Sequence, residues 1–577
     1  MTRTITRREC VHTVGALAGF AGVAGLLSLT GCNTASSSSA QSSTDADTTS
    51  DSANESITTQ TVKLGAGTLL GFRDEGVYTF RGIPYATAER FQDPVPVTSY
   101  DNAWHNALVY GEVAPQDRTL SSTASVNSYE FFSPSNGTAD MVGNEQCQYL
   151  NVWSDDLTAA KPVIVFFHGG ELTNGASTEL SFYEGQYLVH ARDVVFVSVN
   201  TRLNVLGFLD MSAYGTQYEN SGIAGMRDAV VALQWVQDNI AQFGGDPQNV
   251  TLVGQSGGGC KVTTLASMSD TTGLFDKVVM MSGYYSAAPK DDALANTQLL
   301  VDYLHLSSDK VADSLVEMPY EQLLSAATAA GCSWETHYGT GTFESPLVDV
   351  KTGAVNQYAA QRIWLIGNTF SEFNGNMSAY CRSSPQTVPN SYLPDVSDDD
   401  ARSALNELYG DDADEFVTEY QKAYPDHQLA ESLWISGCGT IVSRYQAVKP
   451  DSGFITLMNK AGLSVYNYVN AYRMPAFGGI TMGHTSDVPY MFNSVDAAQY
   501  LIRGDEDNAR TIAATESSAL AAFATTGNPS IDGLAWDPYT SDNHVTMVFD
   551  TKSETRTGHD DRLYEIMNAH SQNVTAG

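Results

Sequence analysis

The chain has 577 residues, 42% of them hydrophobic, and a formal net charge of -36 at pH 7. Such an excess of acidic residues excludes nucleic-acid binding, because the chain has too few cations to neutralise phosphates. The apolar fraction is ample for the core of a large enzyme. We expect an anionic surface that attracts cations and repels anionic substrates.

Residues 1–31 have the pattern of an export signal. Arg7 and Arg8 precede a weakly apolar run rich in Gly and Ala, as in the bacterial twin-arginine route. The run ends in Leu-Thr-Gly-Cys, which is similar to a bacterial lipobox in which Cys32 would be acylated. An uncleaved anchor helix is the alternative, but His12 and several Gly and Ser residues disfavour crossing hydrocarbon. We expect an exported lipoprotein on the outer face of a bacterial membrane, held there by its lipid alone.

Residues 32–60 should form a disordered tether behind the lipidated Cys32. They are mostly Ser, Thr, Ala and Asp and have almost nothing to bury. The folded domain is therefore expected over residues 61–577. Its cysteines are odd in number, so at least one thiol is unpaired within the chain, and none has the spacing of a zinc site; they are Cys147, Cys260, Cys332, Cys381 and Cys438.

Apolar runs that alternate with a helical pattern predict an α/β domain. Residues 163–167 are continuously apolar, as expected of a parallel strand buried on both faces, and residues 194–197 form a second such run. Between residues 225 and 243, apolar side chains recur every three or four positions, and Gly244 closes this amphipathic helix. This alternation predicts a mostly parallel sheet with helices on both faces.

A third apolar run, residues 250–253, ends in Gly-Gln-Ser-Gly-Gly at residues 254–258. A Gly-x-Ser-x-Gly string alone is weak, since Gly and Ser are common in loops. A strand directly before it indicates a sharp strand-to-helix turn, which needs neighbours without a Cβ and lifts Ser256 clear of the sheet. The helix start behind Ser256 would offer unpaired N–H groups and a positive dipole end to a developing anion.

Several motifs occur in the order typical of one family. They are Tyr-Thr-Phe-Arg-Gly-Ile-Pro-Tyr-Ala at residues 78–86, Glu-Gln-Cys-Gln-Tyr-Leu-Asn-Val at residues 145–152, Pro-Val-Ile-Val-Phe-Phe-His-Gly-Gly at residues 162–170, and the Ser256 motif. From about residue 61 to its end the chain resembles the type-B carboxylesterases, the cholinesterase-like branch of the α/β-hydrolases. The resemblance implies an α/β-hydrolase fold: a large, mostly parallel twisted sheet with helices on both faces and helical and loop insertions over the active site.

The resemblance also implies a catalytic triad. A serine hydroxyl needs a base to take its proton, and the base needs a third group to orient it. In this fold the order is Ser, acid, His. Glu372, after a strand-like run that ends at Gly367, is the expected acid, with Asp349 as the alternative. His484 is the expected base, because Asp487 and Phe492 follow it at the family's spacing.

By the same resemblance, the N–H groups of Gly170, Glu171 and Gly257 should form the oxyanion hole. The family has Gly or Ala where this chain has Glu171. A carboxylate about 5 Å from the oxyanion, at an effective dielectric of about 20, would repel it by roughly 3 kcal/mol, about two powers of ten in rate. We therefore expect the Glu171 carboxylate to face the mouth of the pocket.

The resemblance further implies two buried ion pairs, Arg90 with Glu145 and Arg202 with Asp228. Cys147 should be unpaired, because the family's partner cysteine is missing upstream.

The sequence thus predicts a serine esterase that acts on a small-molecule ester through an acyl-enzyme on Ser256, without metal or organic cofactor. Two alternatives remain open at this point. One is a catalytically silent, cholinesterase-like binding or adhesion module. The other is the same triad acting on thioesters or activated amides.

Overall fold

The fold is built on a large sheet whose central strands run parallel. The computed structural model describes residues 57–116, 141–283, 287–349, 351–372, 396–437, 453–476 and 479–570. They all belong to one unit, Glu55–Gly577. The predicted export signal, Cys32, Cys381 and Cys438 lie outside the described residues.

The strands are, in chain order, β1 (Thr58–Leu64), β2 (Gly67–Asp74), β3 (Val77–Pro84), β4 (Ala86–Thr87), β5 (Val95–Pro96), β6 (Trp104–Asn106), β7 (Tyr149–Ser154), β8 (Lys161–Phe167), β9 (Val195–Val199), β10 (Gly245–Gln255), β11 (Lys277–Met281), β12 (Ala287–Pro289), β13 (Thr336–Tyr338), β14 (Val348–Asp349), β15 (Ala354–Val355), β16 (Ile363–Thr369), β17 (Val465–Asn470), β18 (Arg473–Met474), β19 (Ile480–Thr481), β20 (Val545–Phe549) and β21 (Glu554–Thr557).

The α-helices are α1 (Gln186–Ala191), α2 (Asn204–Phe208), α3 (Ala224–Asn239), α4 (Gly257–Ala266), α5 (Lys290–Tyr303), α6 (Val311–Glu317), α7 (Tyr320–Ala330), α8 (Asp398–Tyr409), α9 (Ala413–Ala423), α10 (Ser432–Gly437), α11 (Phe454–Lys460), α12 (Val488–Met491), α13 (Gln499–Ile502), α14 (Glu506–Thr526) and α15 (Asp561–Ala569). Within the described ranges, no helix is both long enough and apolar enough to cross a bilayer.

Thirteen strands join one sheet in the order β1-β2-β3-β7-β9-β8-β10-β11-β16-β17-β20-β21, with β6 beside β2. The seven strands β9, β8, β10, β11, β16, β17 and β20 are parallel to one another, and antiparallel pairs flank them at both edges of the sheet. This is the α/β-hydrolase architecture that the motifs predicted.

The central strands are apolar on both faces because both faces are covered. Along β8, Ile164 and Phe166 belong to one hydrophobic core, while Val163, Val165 and Phe167 belong to another. Successive side chains of a strand point to opposite faces, so this alternation divides the two cores. The continuous apolar run in the sequence is the consequence.

The amphipathic pattern after residue 224 forms α3, and a 3-10 turn, Ile240–Phe243, extends it. Gly244 ends it with φ of 78°, and a Cβ there would lie 1.8 Å from the carbonyl oxygen of Asp156. Glycine is therefore required at this C-terminus for its conformation and for space.

The folded region begins earlier than the sequence suggested. Strand β1 starts at Thr58 and pairs along its whole length with β2, so Gln60 lies opposite Gly71. The last three residues of the expected tether are thus part of the sheet. The composition of these residues, Thr-Thr-Gln, resembled a linker, but β-branched Thr residues also suit an edge strand with one side in water.

The expected ion pairs both form, but they differ in burial. Arg202 and Asp228 are 2% and 0% exposed, and their side chains approach to 2.7 Å. Arg90 donates to Glu145 over 2.8 Å, yet the Glu145 side chain is one third exposed. The prediction of burial is therefore right for the first pair and too strong for the second. Cys147 is buried and forms no disulfide with any described residue, as expected.

We predict that Arg202→Met lowers the free energy of unfolding by about 3–5 kcal/mol, because it leaves the Asp228 carboxylate buried without its counter-ion. Arg510→Met is the matched control, because it breaks an ion pair with Asp496 whose side chains are half exposed. The control should cost at most about 1 kcal/mol. Urea titrations of both variants measure the difference, and equal losses would contradict the prediction.

Candidate active site

Ser256 occupies a strained turn between β10 and α4. Its φ is 56° and its ψ -123°, a region that residues with a side chain seldom adopt. The Ser256 N–H donates to the carbonyl oxygen of Met281 over 3.0 Å, and the Gly259 N–H donates to the carbonyl oxygen of Ser256 over 2.8 Å. The turn is therefore held from both sides.

The glycines around Ser256 are required for space. A Cβ on Gly254 would lie 2.1 Å from the carbonyl oxygen of Gly258, and a Cβ on Gly258 would lie 2.0 Å from that of Phe167. Real Cβ atoms do not approach backbone oxygen so closely. The turn thus needs these glycines because α4 passes directly behind the ends of β8 and β10, as the motif predicted.

His484 and Glu372 are in direct contact. The Nδ1 atom of His484 lies 2.6 Å from Oε2 of Glu372, whose side chain is 1% exposed. The other carboxylate oxygen accepts from the Thr369 N–H over 3.0 Å and from the Asn368 amide over 3.2 Å. The His484 N–H also donates to the carbonyl oxygen of Glu372. These bonds fix the carboxylate, which can only accept from Nδ1–H.

The opposite edge of the His484 ring faces the nucleophile turn. Its Nε2 atom lies 3.4 Å from the side-chain amide of Gln255, the residue before Ser256, and this amide donates to Thr485 Oγ1 over 3.0 Å. The structure therefore brings His484 and Glu372 together next to the turn that carries Ser256.

Asp349, the alternative acid, lies elsewhere and is engaged locally. It ends β14, and its carboxylate accepts from the N–H groups of Lys351 and Thr352 over 2.9 and 3.3 Å. These donors hold the pKa of Asp349 below its usual value. Glu372, not Asp349, contacts His484.

The loop after β8 lies against the Ser256 turn. A Cβ on Gly169 would be 3.0 Å from Cβ of Ser256, and a Cβ on Gly257 would be 2.7 Å from the backbone nitrogen of Glu171. Residues 170, 171 and 172 all have positive φ, of 94°, 54° and 59°. Within the described residues, the N–H groups of Gly170, Glu171 and Gly257 have no hydrogen-bond acceptor. Unpaired N–H groups thus gather beside Ser256.

The side chains of Glu171 and Leu172, neighbours in this loop, differ in their exposure. The Glu171 side chain is exposed, whereas Leu172 is fully buried. An exposed carboxylate is screened by water, so it does not bring its full charge to the unpaired N–H groups. The exposure of Glu171 agrees with the repulsion argument, and that its carboxylate faces the mouth of the pocket stays a prediction.

Two buried carboxyl groups lie near the His484–Glu372 pair. Tyr468 donates to Asp487 over 3.2 Å, and burial, followed by the nearby Glu372 charge, raises the pKa of Asp487 to about 7. Asn470 donates to Glu516 over 2.6 Å, and burial together with Asp487 raises the pKa of Glu516 well above its usual value. In the sequence, Asp487 served only to identify the motif around His484. No feature of the sequence singled out Glu516, which lies within α14.

Lys261 and Glu179 were also missed, although both are buried near the loop after β8. The one feature of the sequence that could have pointed to Lys261 was the presence of a lysine within α4. All ten residues of this helix are buried in the structure. Among the described residues, no group of three His, Cys, Asp or Glu side chains is placed to hold a metal ion.

Comparisons with known proteins agree with this architecture. A family model described as the carboxylesterase family matches residues 55–567. The para-nitrobenzyl esterase of Bacillus subtilis (strain 168) is 28% identical over 513 residues, which cover 86% of this chain and 96% of that protein. The phenmedipham hydrolase of Pseudarthrobacter oxydans is 28% identical over 522 residues, covering 85% and 95%.

Among solved structures, an esterase from the anaerobe Clostridium hathewayi, described as able to hydrolyse aliphatic aromatic polyesters, matches with a TM-score of 0.77 and 30% identity. The match covers 89% of this chain and 100% of that one. Together with the motifs and the parallel sheet, these matches show that the chain belongs to the carboxylesterase family, in its type-B branch, and is a carboxylic-ester hydrolase.

Proposed function

We propose that Ser256 is the nucleophile, His484 the general base and Glu372 the residue that orients the base. The contact between His484 Nδ1 and Glu372, at 2.6 Å, carries this proposal. A proton on Nδ1 places the lone pair of the neutral ring on Nε2, at the edge that faces the nucleophile turn. The carboxylate also stabilises the imidazolium that forms when Nε2 takes a proton.

The reaction follows from these roles. Ser256 Oγ attacks the ester carbonyl while its proton passes to His484 Nε2, and the tetrahedral intermediate carries the negative charge on the former carbonyl oxygen. When the C–O bond breaks, His484 returns the proton to the leaving alcohol. A water molecule then attacks the acyl-enzyme with His484 again as base, and it releases the carboxylic acid and Ser256.

The unpaired N–H groups of Gly170, Glu171 and Gly257 serve as the oxyanion hole in this proposal. Donors held in place before the reaction stabilise charge that appears only in the transition state. The positive φ of residues 170–172 keeps this backbone turned toward Ser256, at a conformational cost that Glu171 and Leu172 bear where glycine would not.

Ser256→Ala should abolish ester hydrolysis, with a loss on the order of 10⁴–10⁶ in kcat, and should leave the fold intact. The substrates are para-nitrophenyl esters of increasing acyl length, and mass spectrometry after a fluorophosphonate should place the adduct on Ser256. The Ser518→Ala variant, a change at a partly exposed serine of α14, should behave as the wild type. Labelling at another residue, or full activity of Ser256→Ala, would contradict the mechanism. No labelling together with no hydrolysis would favour a silent binding module.

The exposed Glu171 carboxylate is proposed to bias substrate choice toward neutral or cationic esters, because it adds a negative charge at the pocket mouth of an acidic protein. The names of the relatives suggest para-nitrobenzyl esters and aliphatic aromatic polyesters as first neutral substrates to assay.

Glu171→Gly and Glu171→Gln should both lower KM for an ester that bears a carboxylate, because both remove the repelling charge. For a small neutral ester, kcat should stay within about tenfold, since the backbone donor is retained. Glu321→Gln, an exposed change of equal charge at the start of α7, is the control and should leave both constants unchanged. A hundredfold gain in kcat on neutral esters would show instead that the carboxylate repels the oxyanion.

We also propose that the protein is an exported lipoprotein, with residues 1–31 removed and Cys32 acylated. The apolar run that ends in Leu-Thr-Gly-Cys, and the polar segment between Cys32 and β1, support this. Such a segment would hold the esterase at a distance from the outer face of the membrane.

We predict that the mature chain begins at Cys32 and that this residue carries acyl chains. Peptide mass spectrometry of the membrane fraction of the native host tests this directly. Cys32→Ser should release the esterase activity from the membrane fraction, because it removes the acylated thiol. An unmodified N-terminus at another residue, with the protein in the culture medium, would contradict the anchor.

A further inference from the structure

Lys261 is a buried lysine directly behind the loop that carries Gly170 and Glu171. It lies on α4, five residues after Ser256, and is 1% exposed. Its ammonium nitrogen is 3.3 Å from Nε2 of His168 and 3.3 Å from the carbonyl oxygen of His168. Burying an amine is costly unless its hydrogen bonds are made, so these two contacts account for its position.

The hydrogen-bond roles in this contact are determined by the neighbours of His168. Its Nδ1 atom lies 2.9 Å from the carbonyl oxygen of Gly169, which can only accept, so Nδ1 carries the proton. In a neutral ring Nε2 then has the lone pair, and Lys261 is the donor. Burial and the charge of Lys261 hold the pKa of His168 well below its usual value, which agrees with a neutral ring.

Glu179 is a buried carboxyl group that acts electrostatically on Lys261. It lies at the far end of the same loop and is 6% exposed. Burial lowers the pKa of Lys261 to about 7, while Glu179 opposes this shift. Burial likewise raises the pKa of Glu179 to about 8, and Lys261 opposes that shift. The other titratable groups that act on Lys261 are Cys260 and Cys147.

These contacts join two elements that the catalytic step must hold together. Helix α4 begins with Gly257, and the loop after His168 carries Gly170 and Glu171. We propose that Lys261 is a positioning residue for the oxyanion hole, an inference that rests on the roles proposed above for the N–H groups of Gly170, Glu171 and Gly257. By donating to both the ring and the carbonyl oxygen of His168, Lys261 ties α4 to the loop. A charged donor makes stronger hydrogen bonds than a neutral one. The protonated form of Lys261 therefore holds the loop best.

Lys261→Met should lower kcat by roughly ten- to a hundredfold and leave KM within about threefold, since a displaced donor matters in the transition state and little in the ground state. The inhibition constant of a trifluoromethyl ketone, whose tetrahedral adduct places an oxyanion in the same site, should rise by a similar factor. Lys277→Met is the matched control. Lys277 is 6% exposed and donates to Asn249, and it begins β11, at the opposite end of that strand from Met281. It should leave both quantities unchanged.

The pH profile gives a second readout. Lys261 has a lowered pKa, so its proton is lost as the pH rises through about 7 and the charged form is present below that value. The wild-type kcat should therefore fall on the alkaline side, by no more than the factor caused by Lys261→Met. The variant should show no alkaline fall.

Fluorophosphonate titration counts intact sites in each preparation, so that kcat refers to folded enzyme. If Lys261→Met does not fold because Glu179 is left unpaired, Lys261→Met with Glu179→Gln removes both charges and should show the same loss of kcat. Unchanged kcat and unchanged ketone affinity in a folded variant would overturn the role of Lys261 alone. An adduct on a residue other than Ser256 in the wild type would instead overturn the proposed mechanism.

Discussion

The close approach of three backbone segments is the constraint on which the rest of the site depends. The end of β8, the end of β10 and the start of α4 come so near to one another that a single Cβ at Gly254 or Gly258 would lie about 2 Å from a backbone oxygen. The same proximity sets the backbone nitrogen of Glu171 against Gly257, the residue after Ser256. The parallel sheet makes it possible, because the carboxyl ends of neighbouring parallel strands lie at the same edge.

Around this constraint the chain buries charge in a small region while its surface is strongly acidic. Lys261 lies behind the loop after β8 and Glu179 lies within that loop, while Asp487 and Glu516 lie near the pair of His484 and Glu372. Buried ionisable groups cost free energy, and perturbed pKa values gather at functional sites for that reason. In a low dielectric such groups act strongly on their neighbours, whereas the exposed Glu171 is screened by water.

Local sequence patterns predicted the architecture well because each strand or helix is specified by residues that are neighbours in the sequence. The apolar run of β8 indicates a strand covered on both faces, and Gly244 marks the end of a helix whose apolar positions recur every three or four residues. Patterns failed where composition was ambiguous. The composition of residues 58–60 resembled a linker, but these residues pair with β2 as part of β1. Glu145 was expected to be buried, yet its side chain in the ion pair with Arg90 is partly exposed to water.

The sequence by itself determined the fold class, the family and the turn at Ser256, because the glycines and the apolar runs that specify them are contiguous. Motif spacing also singled out Glu372 and His484. Only the tertiary structure decided which carboxylate meets His484, that Glu171 is exposed, and that Lys261 contacts His168 across 93 positions of the chain. Those outcomes depend on burial and on partners far apart in sequence. A lysine is written the same way in a sequence whether it is exposed or buried, and its pKa is shifted by desolvation only when the chain has packed around it.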